Sequence, residues 1–276
     1  MNNNFLNMSH STMRYPLLCL AVAGLLAGCA TSRNNYDPLE SINRPIYSFN
    51  KGVDKVVLHP LATAWTTVLP SPVQTGVHNF FENIVDLFAI PAALLQGKGT
   101  DAAHSFGRVV VNTTVGIGGL IDVASKLDIP KSDEDFGQVL GYWGVPTGPY
   151  LMLPLLGPIT VRDAIDPAVR FTAGPTTYIN PESARYAYVG VNAVDARAQL
   201  LPLDKVLDDQ YDQYAFVRDT YLQRRWYKVY DGNPPYSLPM AGDVPDPSPQ
   251  ADAPVSSGDT AMPASPASAP AAEPQP

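Results

Sequence analysis

The sequence predicts a mainly α-helical domain, on three observations. Helix-start signals recur along the chain, with a small polar residue set before proline or a capping Glu or Gln. Apolar residues return at helical spacing over long stretches. Few stretches alternate with period two over enough residues to build a sheet.

The first element opens at Asp37-Pro38-Leu39-Glu40, which reads as N-cap, first-turn proline and capping-box glutamate. Ile42, Ile46, Phe49, Val53 and Val57 then share one helical face. Pro45 lies inside this pattern and predicts a kink or two short pieces. Ser71-Pro72-Val73-Gln74 repeats the start logic with Gln. Residues 79–95 follow with little polar face, and Glu82 and Asp86 make one narrow charged stripe. Two readings stand for this helix: a core element, or one lying in a lipid interface. Thr100 can cap a helix from Asp101. Gly116-Ile117-Gly118-Gly119 follows the apolar run 109–111, but position 121 is Ile, so a dinucleotide turn is disfavoured. These glycines read instead as a helix end or a close backbone approach. Asp133-Glu134-Asp135 resembles half a calcium loop, yet Gly137 falls one place early and no Glu closes it. A solvated turn is the better reading.

Residues 136–161 carry no charge across 26 positions but contain five Gly and four Pro. No transmembrane helix tolerates that density of breakers, and irregular backbone cannot face lipid bare. The segment is either a buried apolar loop or the wall of an amphipathic passage. Asp166-Pro167 and Asn180-Pro181 are two further helix starts. The last helix is predicted over 203–230, with Leu203, Leu207, Tyr211, Tyr214, Val217 and Tyr221 along one side. Its reach would be about 40 Å. Asp208, Asp209 and Asp212 fall on its polar face, and Asp231-Gly232-Asn233-Pro234-Pro235 ends it.

The flanks have a different chemistry. Arg14 precedes the uncharged apolar run 17–28, which has signal-peptide length and is too short to span a bilayer. The run ends in Leu26-Ala27-Gly28-Cys29, the order of a lipoprotein cleavage site. Cleavage there would leave Cys29 as an acylated first residue and remove Cys19, the other cysteine of the chain. Neither a disulfide nor a free thiol would remain. One acyl chain contributes about 0.8 kcal/mol per buried methylene, so two or three chains make detachment rare. Residues 1–12 carry no positive charge, which leaves Met13 as an alternative start to Met1. At the other end, 241–276 holds nine prolines, five acids and no base. Such a composition cannot offset the entropy of ordering and predicts a disordered tail. The expected organisation is signal peptide 1–28, lipidated linker 29–35, helical domain 36–240 and acidic tail 241–276.

The formal charge is −8, and removing 1–28 takes away only Arg14 and makes it −9. An acidic body argues against nucleic acid and against a partner read by a broad basic patch. Only 16% of residues are charged, beside about 25% in ordinary domains. Part of the body is therefore expected to face something other than water. His59, His78 and His104 show no metal-ligand spacing, and no HExxH, CxxC or GxSxG occurs.

Several strings stand in one order: Asn43-Arg44, Tyr47-Ser48-Phe49-Asn50, 112–119 leading into Asp122-Val123-Ala124, Phe136-Gly137-Gln138, Gly141-Tyr142-Trp143-Gly144-Val145, Gly148-Pro149-Tyr150-Leu151, Leu153-Pro154, Arg162-Asp163 and 197–201. Across roughly 36–230 this resembles the VacJ/MlaA lipoprotein family. The resemblance implies a single helical, ring-like domain embedded in one leaflet of the outer membrane, on its periplasmic face. It implies an amphipathic channel that removes misplaced phospholipids and passes them to a periplasmic lipid carrier. It also implies association with a trimeric porin, no covalent chemistry and no cofactor or metal. Phe49, Ser48, Tyr142, Trp143, Tyr150, Leu151 and Leu153 are the residues it points to for the lipid pathway; the family often has Asn at the position of Ser48. Two alternatives remain: a structural lipoprotein that steadies porin or envelope, and a tethered periplasmic hydrolase.

Overall fold

The computed structural model describes residues 37–235. The expected signal segment, Cys29, the linker and the acidic tail lie outside the described residues. Helix α1, Glu40–Val53, runs without a break through a π-helical turn, Asp54–Leu58, into α2, His59–Val68. Next come α3, Ser71–Leu95, α4, Gly99–Thr114, and the short α5, Val123–Lys126. Helix α6, Phe136–Tyr142, leads into an antiparallel hairpin of β1, Tyr150–Leu153, and β2, Gly157–Thr160, with Tyr150 opposite Thr160. The chain ends with α7, Ile165–Ala173, α8, Pro175–Tyr178, α9, Glu182–Leu200, a 3-10 turn, α10, Asp204–Asp208, and α11, Gln213–Val229.

The packing closes on itself. Helix α2 packs on α9, α9 on α3, α3 on α6, and α6 on α11. Helix α11 packs on β2, and β1 returns to α1. The apolar core sits at that last junction, where Tyr150, Met152, Tyr214 and Leu222 are buried together with Tyr47 and Tyr221 against them. Its rings meet edge to face, the arrangement that ring quadrupoles favour; Tyr150 lies 6.3 Å from Tyr214 and 6.0 Å from Tyr221.

Two asparagines explain how the hairpin is held. Asn43 and Asn50 lie seven apart on one face of α1. Asn43 Nδ2 donates to Tyr150 O at 3.1 Å, and Met152 N donates to Asn43 Oδ1 at 2.9 Å. Asn50 Nδ2 donates to Leu153 O at 2.9 Å, and Leu155 N donates to Asn50 Oδ1 at 2.8 Å. The two amides therefore satisfy the edge of β1 that β2 leaves open.

The burial pattern is partly inverted. Asp86, Arg108, Asp135, Asp163 and Asp195 are buried, whereas Phe49, Leu94, Phe106, Leu155, Leu156 and Phe171 are exposed. Apolar side chains thus stay on the surface while several charged ones go inside. Among the described residues no helix is long and apolar enough to cross a membrane.

Several expectations are corrected. Helix α1 is continuous through Pro45; the proline removes only a bond to Ser41 O, which is exposed and open to other donors. Asp37 does not cap α1, which starts at Glu40 without a side-chain cap. It accepts instead from Asn43 Nδ2 at 2.7 Å and from the Tyr214 hydroxyl. Neither Ser71 nor Thr100 caps its helix, since each already lies within it. Asp166 likewise lies inside α7 and accepts from Arg170 at 2.7 Å. The long helix expected over 203–230 is divided between α10 and α11. Asp212 breaks it by accepting from Ala215 N at 3.0 Å as the N-cap of α11. The triplet 133–135 is not a solvated turn: Glu134 and Asp135 are buried. Lys98 pairs with Glu134 at 2.9 Å and Arg225 with Asp135 at 2.5 Å. For 79–95 the core reading holds for Phe81, Ala89, Ala92 and Ala93, which are buried, while Leu87, Leu94 and Leu95 are exposed. The glycines at 116–119 do end a helix and allow a close approach. Gly119 has φ +92°, and a Cβ there would lie 2.9 Å from Asn83.

Candidate functional site

Helix α3 forms the shared wall of two adjoining cavities. Its turn places His78, Glu82 and Asp86 in one row, and Phe81, Val85 and Phe88 in the next. The apolar row faces a cavity of about 430 Å³, closed by Phe171 of α7 and Tyr188 of α9. The polar row faces a basin of about 140 Å³, closed by Arg108 and Asn112 of α4, Asp122, Ser125 and Lys131. His78 and Glu82 line both cavities. An apolar lobe thus meets a polar basin across one helix.

The basin floor is a charge network centred on Arg108. Arg108 is 3% exposed. Its Nε donates to Asp86 at 2.9 Å, and Nη1 to Ser125 Oγ at 3.1 Å and Ile129 O at 3.0 Å. Its Nη2 donates to both oxygens of Asp122, at 3.2 and 3.1 Å. Asn112 Nδ2 donates to Asp122 at 3.0 Å, and Asn112 Oδ1 accepts from Ala124 N at 2.8 Å. Burial of such charges is tolerated only with this density of partners. Burial pushes the Asp122 carboxyl up, but hydrogen bonds from Ser125, Asn112 and Arg108 outweigh it and hold the group at about 2. For Asp86 burial wins over the pull of Arg108, and its carboxyl is raised.

At the seam, His78 Nδ1 lies 3.0 Å from Asp195 Oδ2, a carboxylate that is 2% exposed. Lys131 pairs with Glu82, and both side chains are about one-third exposed. Arg170 lies over the Phe88 ring at 5.5 Å, a cation–π contact at the apolar lobe.

A second network stands apart from the cavities and ties α6 to α11. Arg225 donates to Asp135 through Nη1 and Nη2, and to Asp163 Oδ1 at 2.9 Å. Tyr221 OH donates to Asp163 at 3.1 Å, and Gln138 N to Asp135 Oδ1 at 2.9 Å. Gly137 sits against this cluster because a Cβ there would come within 2.6 Å of Arg225 and Asp163.

None of the seven residues expected along the lipid pathway lines either cavity. Tyr150 is fully buried in the aromatic core, and burial pushes its phenol up. Leu151 and Leu153 are half-buried along β1. Ser48 and Phe49 are exposed on α1, and Ser48 Oγ donates to Arg44 O at 3.0 Å. Tyr142 and Trp143 are exposed at the end of α6, and Trp143 Nε1 donates to Leu95 O at 3.1 Å. Segment 136–161 thus places these residues on the hairpin and its flank. Sequence reasoning noted Glu82 and Asp86 only as a charged stripe and gave no role to His78, Arg108 or Lys131. The available signal was a row of ionisable residues, His78, Glu82 and Asp86, at intervals of four along one helix.

The model of the MlaA lipoprotein family matches residues 35–228. The chain is similar to the intermembrane phospholipid transport system lipoprotein MlaA of Escherichia coli strain K12, with 35% identity over 247 residues, covering 85% of this chain and 97% of that protein. The Haemophilus influenzae protein of the same description is 32% identical over 234 residues, covering 78% of this chain and 90% of that protein. A solved structure, described as a structural basis for maintenance of bacterial outer membrane lipid asymmetry, superposes with a TM-score of 0.62 at 35% identity. The match covers 71% of this chain and 99% of that one. With the helical circuit and the amphipathic cavity in view, these likenesses lead to one conclusion: the chain belongs to the MlaA lipoprotein family.

Proposed function

We propose that this protein is a membrane-anchored conduit for phospholipids in intermembrane transport, acting to maintain outer-membrane lipid asymmetry. The observation that carries the reading is the apolar lobe joined to the polar basin at His78 and Glu82. A two-tailed lipid has parts that prefer different solvents, and this cavity offers both. The exposed apolar side chains of α1, α2 and α4 would face acyl chains of one leaflet, with Cys29 as the acylated anchor. Phe49, Tyr142 and Trp143 are then contacts with the surrounding leaflet, and Tyr150, Leu151 and Leu153 hold the hairpin in place.

The reading assigns no covalent chemistry to the chain. Family kinship supports a porin as lateral partner in the membrane and a soluble carrier as acceptor on the periplasmic side. A passive path only speeds equilibration, so net removal from the outer leaflet depends on the carrier's affinity.

The test is outer-leaflet phospholipid in cells lacking the protein, complemented with wild type, Cys29→Ala or Val85→Trp. Accumulation cured by wild type alone is expected, because one variant loses the anchor and the other fills the apolar lobe. Unchanged outer-leaflet phospholipid on deletion would refute transport. Lysophospholipid that depends on the protein would point to a hydrolase instead.

A further inference from the structure

We propose that the Glu82–Lys131 ion pair selects zwitterionic, ammonium-bearing phospholipid head groups over anionic ones. The inference rests on the conduit reading and adds the head-group class to it.

The polar basin holds two permanent cations, Arg108 and Lys131, and they differ in availability. Arg108 is buried and every nitrogen of its guanidinium is engaged: Nε by Asp86, Nη1 by Ser125 and Ile129 O, Nη2 by Asp122. It has nothing left to give a phosphate. Lys131 is held by Glu82 alone among the ion pairs of the described residues, and about a third of each side chain is exposed. Such a pair opens at little cost, because water and an incoming charge can replace it.

A head group carrying both phosphate and ammonium can open the pair without leaving a charge behind. Its phosphate takes Lys131 and its ammonium takes Glu82, so two contacts replace one. An anionic head group, such as phosphatidylglycerol, takes Lys131 and strands Glu82. The stranded carboxylate would then face Asp86 and Asp122 in the same basin. Three carboxylates against two cations already tilt the basin negative. Two buried acceptors in its wall, Asp86 Oδ1 and Asn83 Oδ1, have no hydrogen-bond partner among the described residues and add to that field. Position along α3 supports the assignment as well. Glu82 lines the apolar lobe and the basin together, where a head group must pass when its tails lie among Val85 and Phe88.

The experiment uses the full lipidated chain in mild detergent. It is incubated with vesicles of equal phosphatidylethanolamine and phosphatidylglycerol, repurified, and its bound lipid identified by mass spectrometry. Wild type is expected to enrich phosphatidylethanolamine about two- to fivefold over the vesicle ratio, the span of one partly exposed charge contact. Glu82→Gln frees Lys131 for anionic phosphate and should bring the ratio to the vesicle value or below it. Lys131→Gln leaves Glu82 alone and should keep or raise the enrichment. A fall in Glu82→Gln with no fall in Lys131→Gln is the signature. Lipid bound at the vesicle ratio by wild type, or variants moving together, overturns the selection while leaving the conduit standing. Wild type that retains no lipid overturns both.

Discussion

Replacing Asn43 with alanine tests the joint between α1 and the hairpin. Asn43 is 1% exposed, and its amide makes three contacts: Asp37 at 2.7 Å, Tyr150 O at 3.1 Å and Met152 N at 2.9 Å. Truncation leaves Tyr150 C=O and Met152 N–H unpaired at a site where both residues are buried. Each buried group left unmade costs about 1–3 kcal/mol. Asp37 loses one donor but keeps the Tyr214 hydroxyl and the nearby Arg218. A total of about 3–5 kcal/mol follows from these terms. Asn50→Ala removes the equivalent pair at a half-exposed position, where water can substitute, and should cost about 1 kcal/mol. Asn43→Asp keeps an acceptor for Met152 N but turns a carboxylate toward Asp37 and Tyr150 O, so it should fall as far as alanine. Urea unfolding in mild detergent, followed by far-UV circular dichroism, reads these differences from the midpoint and slope. A loss below about 1 kcal/mol for Asn43→Ala, or equal losses at Asn43 and Asn50, would refute the amide-edge account.

Other expectations follow from the same coordinates. Burial raises Asp135 and Asp163, but Arg225 outweighs it and holds both below the usual carboxylate range; Asp122 lies at about 2. Because these folded values are depressed, their stabilisation is complete above the unfolded value near 3.8 and is lost as pH falls toward about 2. Asp122 alone contributes about 2 kcal/mol of it, so Asp122→Asn should flatten that part of an acid-unfolding curve. Gly137→Ala should cost about 1–3 kcal/mol by forcing Arg225 and Asp163 aside, read by the same urea unfolding; an unchanged midpoint would contradict the close approach. Leu155→Glu with Leu156→Glu places charge on the exposed hairpin tip and should weaken flotation of the unlipidated Cys29→Ala chain with vesicles. Unaltered flotation would exclude the tip from the lipid-contacting surface.

The sequence alone determined what local rules govern. Apolar spacing and proline placement announced the helical class, and Pro72 and Pro175 do stand in first turns. The same rules failed where a cap residue found a better partner elsewhere: Asp37 serves Asn43 and Tyr214 rather than α1. Asp212 interrupts an apolar stripe that looked continuous because its capping bond, together with Arg44 at 2.6 Å, outweighs helix continuity. The hairpin was hidden inside 136–161, since strands of four residues, one continuously apolar and the other opening on Gly157-Pro158, carry no readable alternation.

Only the tertiary structure decided which polar groups go inside. Asp86 reads as part of a narrow charged stripe until Arg108, 22 residues away, is folded against it. Asp135 reads as a turn acid until Arg225, 90 residues on, reaches it, and Asn43 goes inside because Met152, 109 residues on, donates to its oxygen. Periodicity fixes which side chains share a face. Burying a charge depends on a partner supplied by another element, because desolvation outweighs any local preference until that partner arrives.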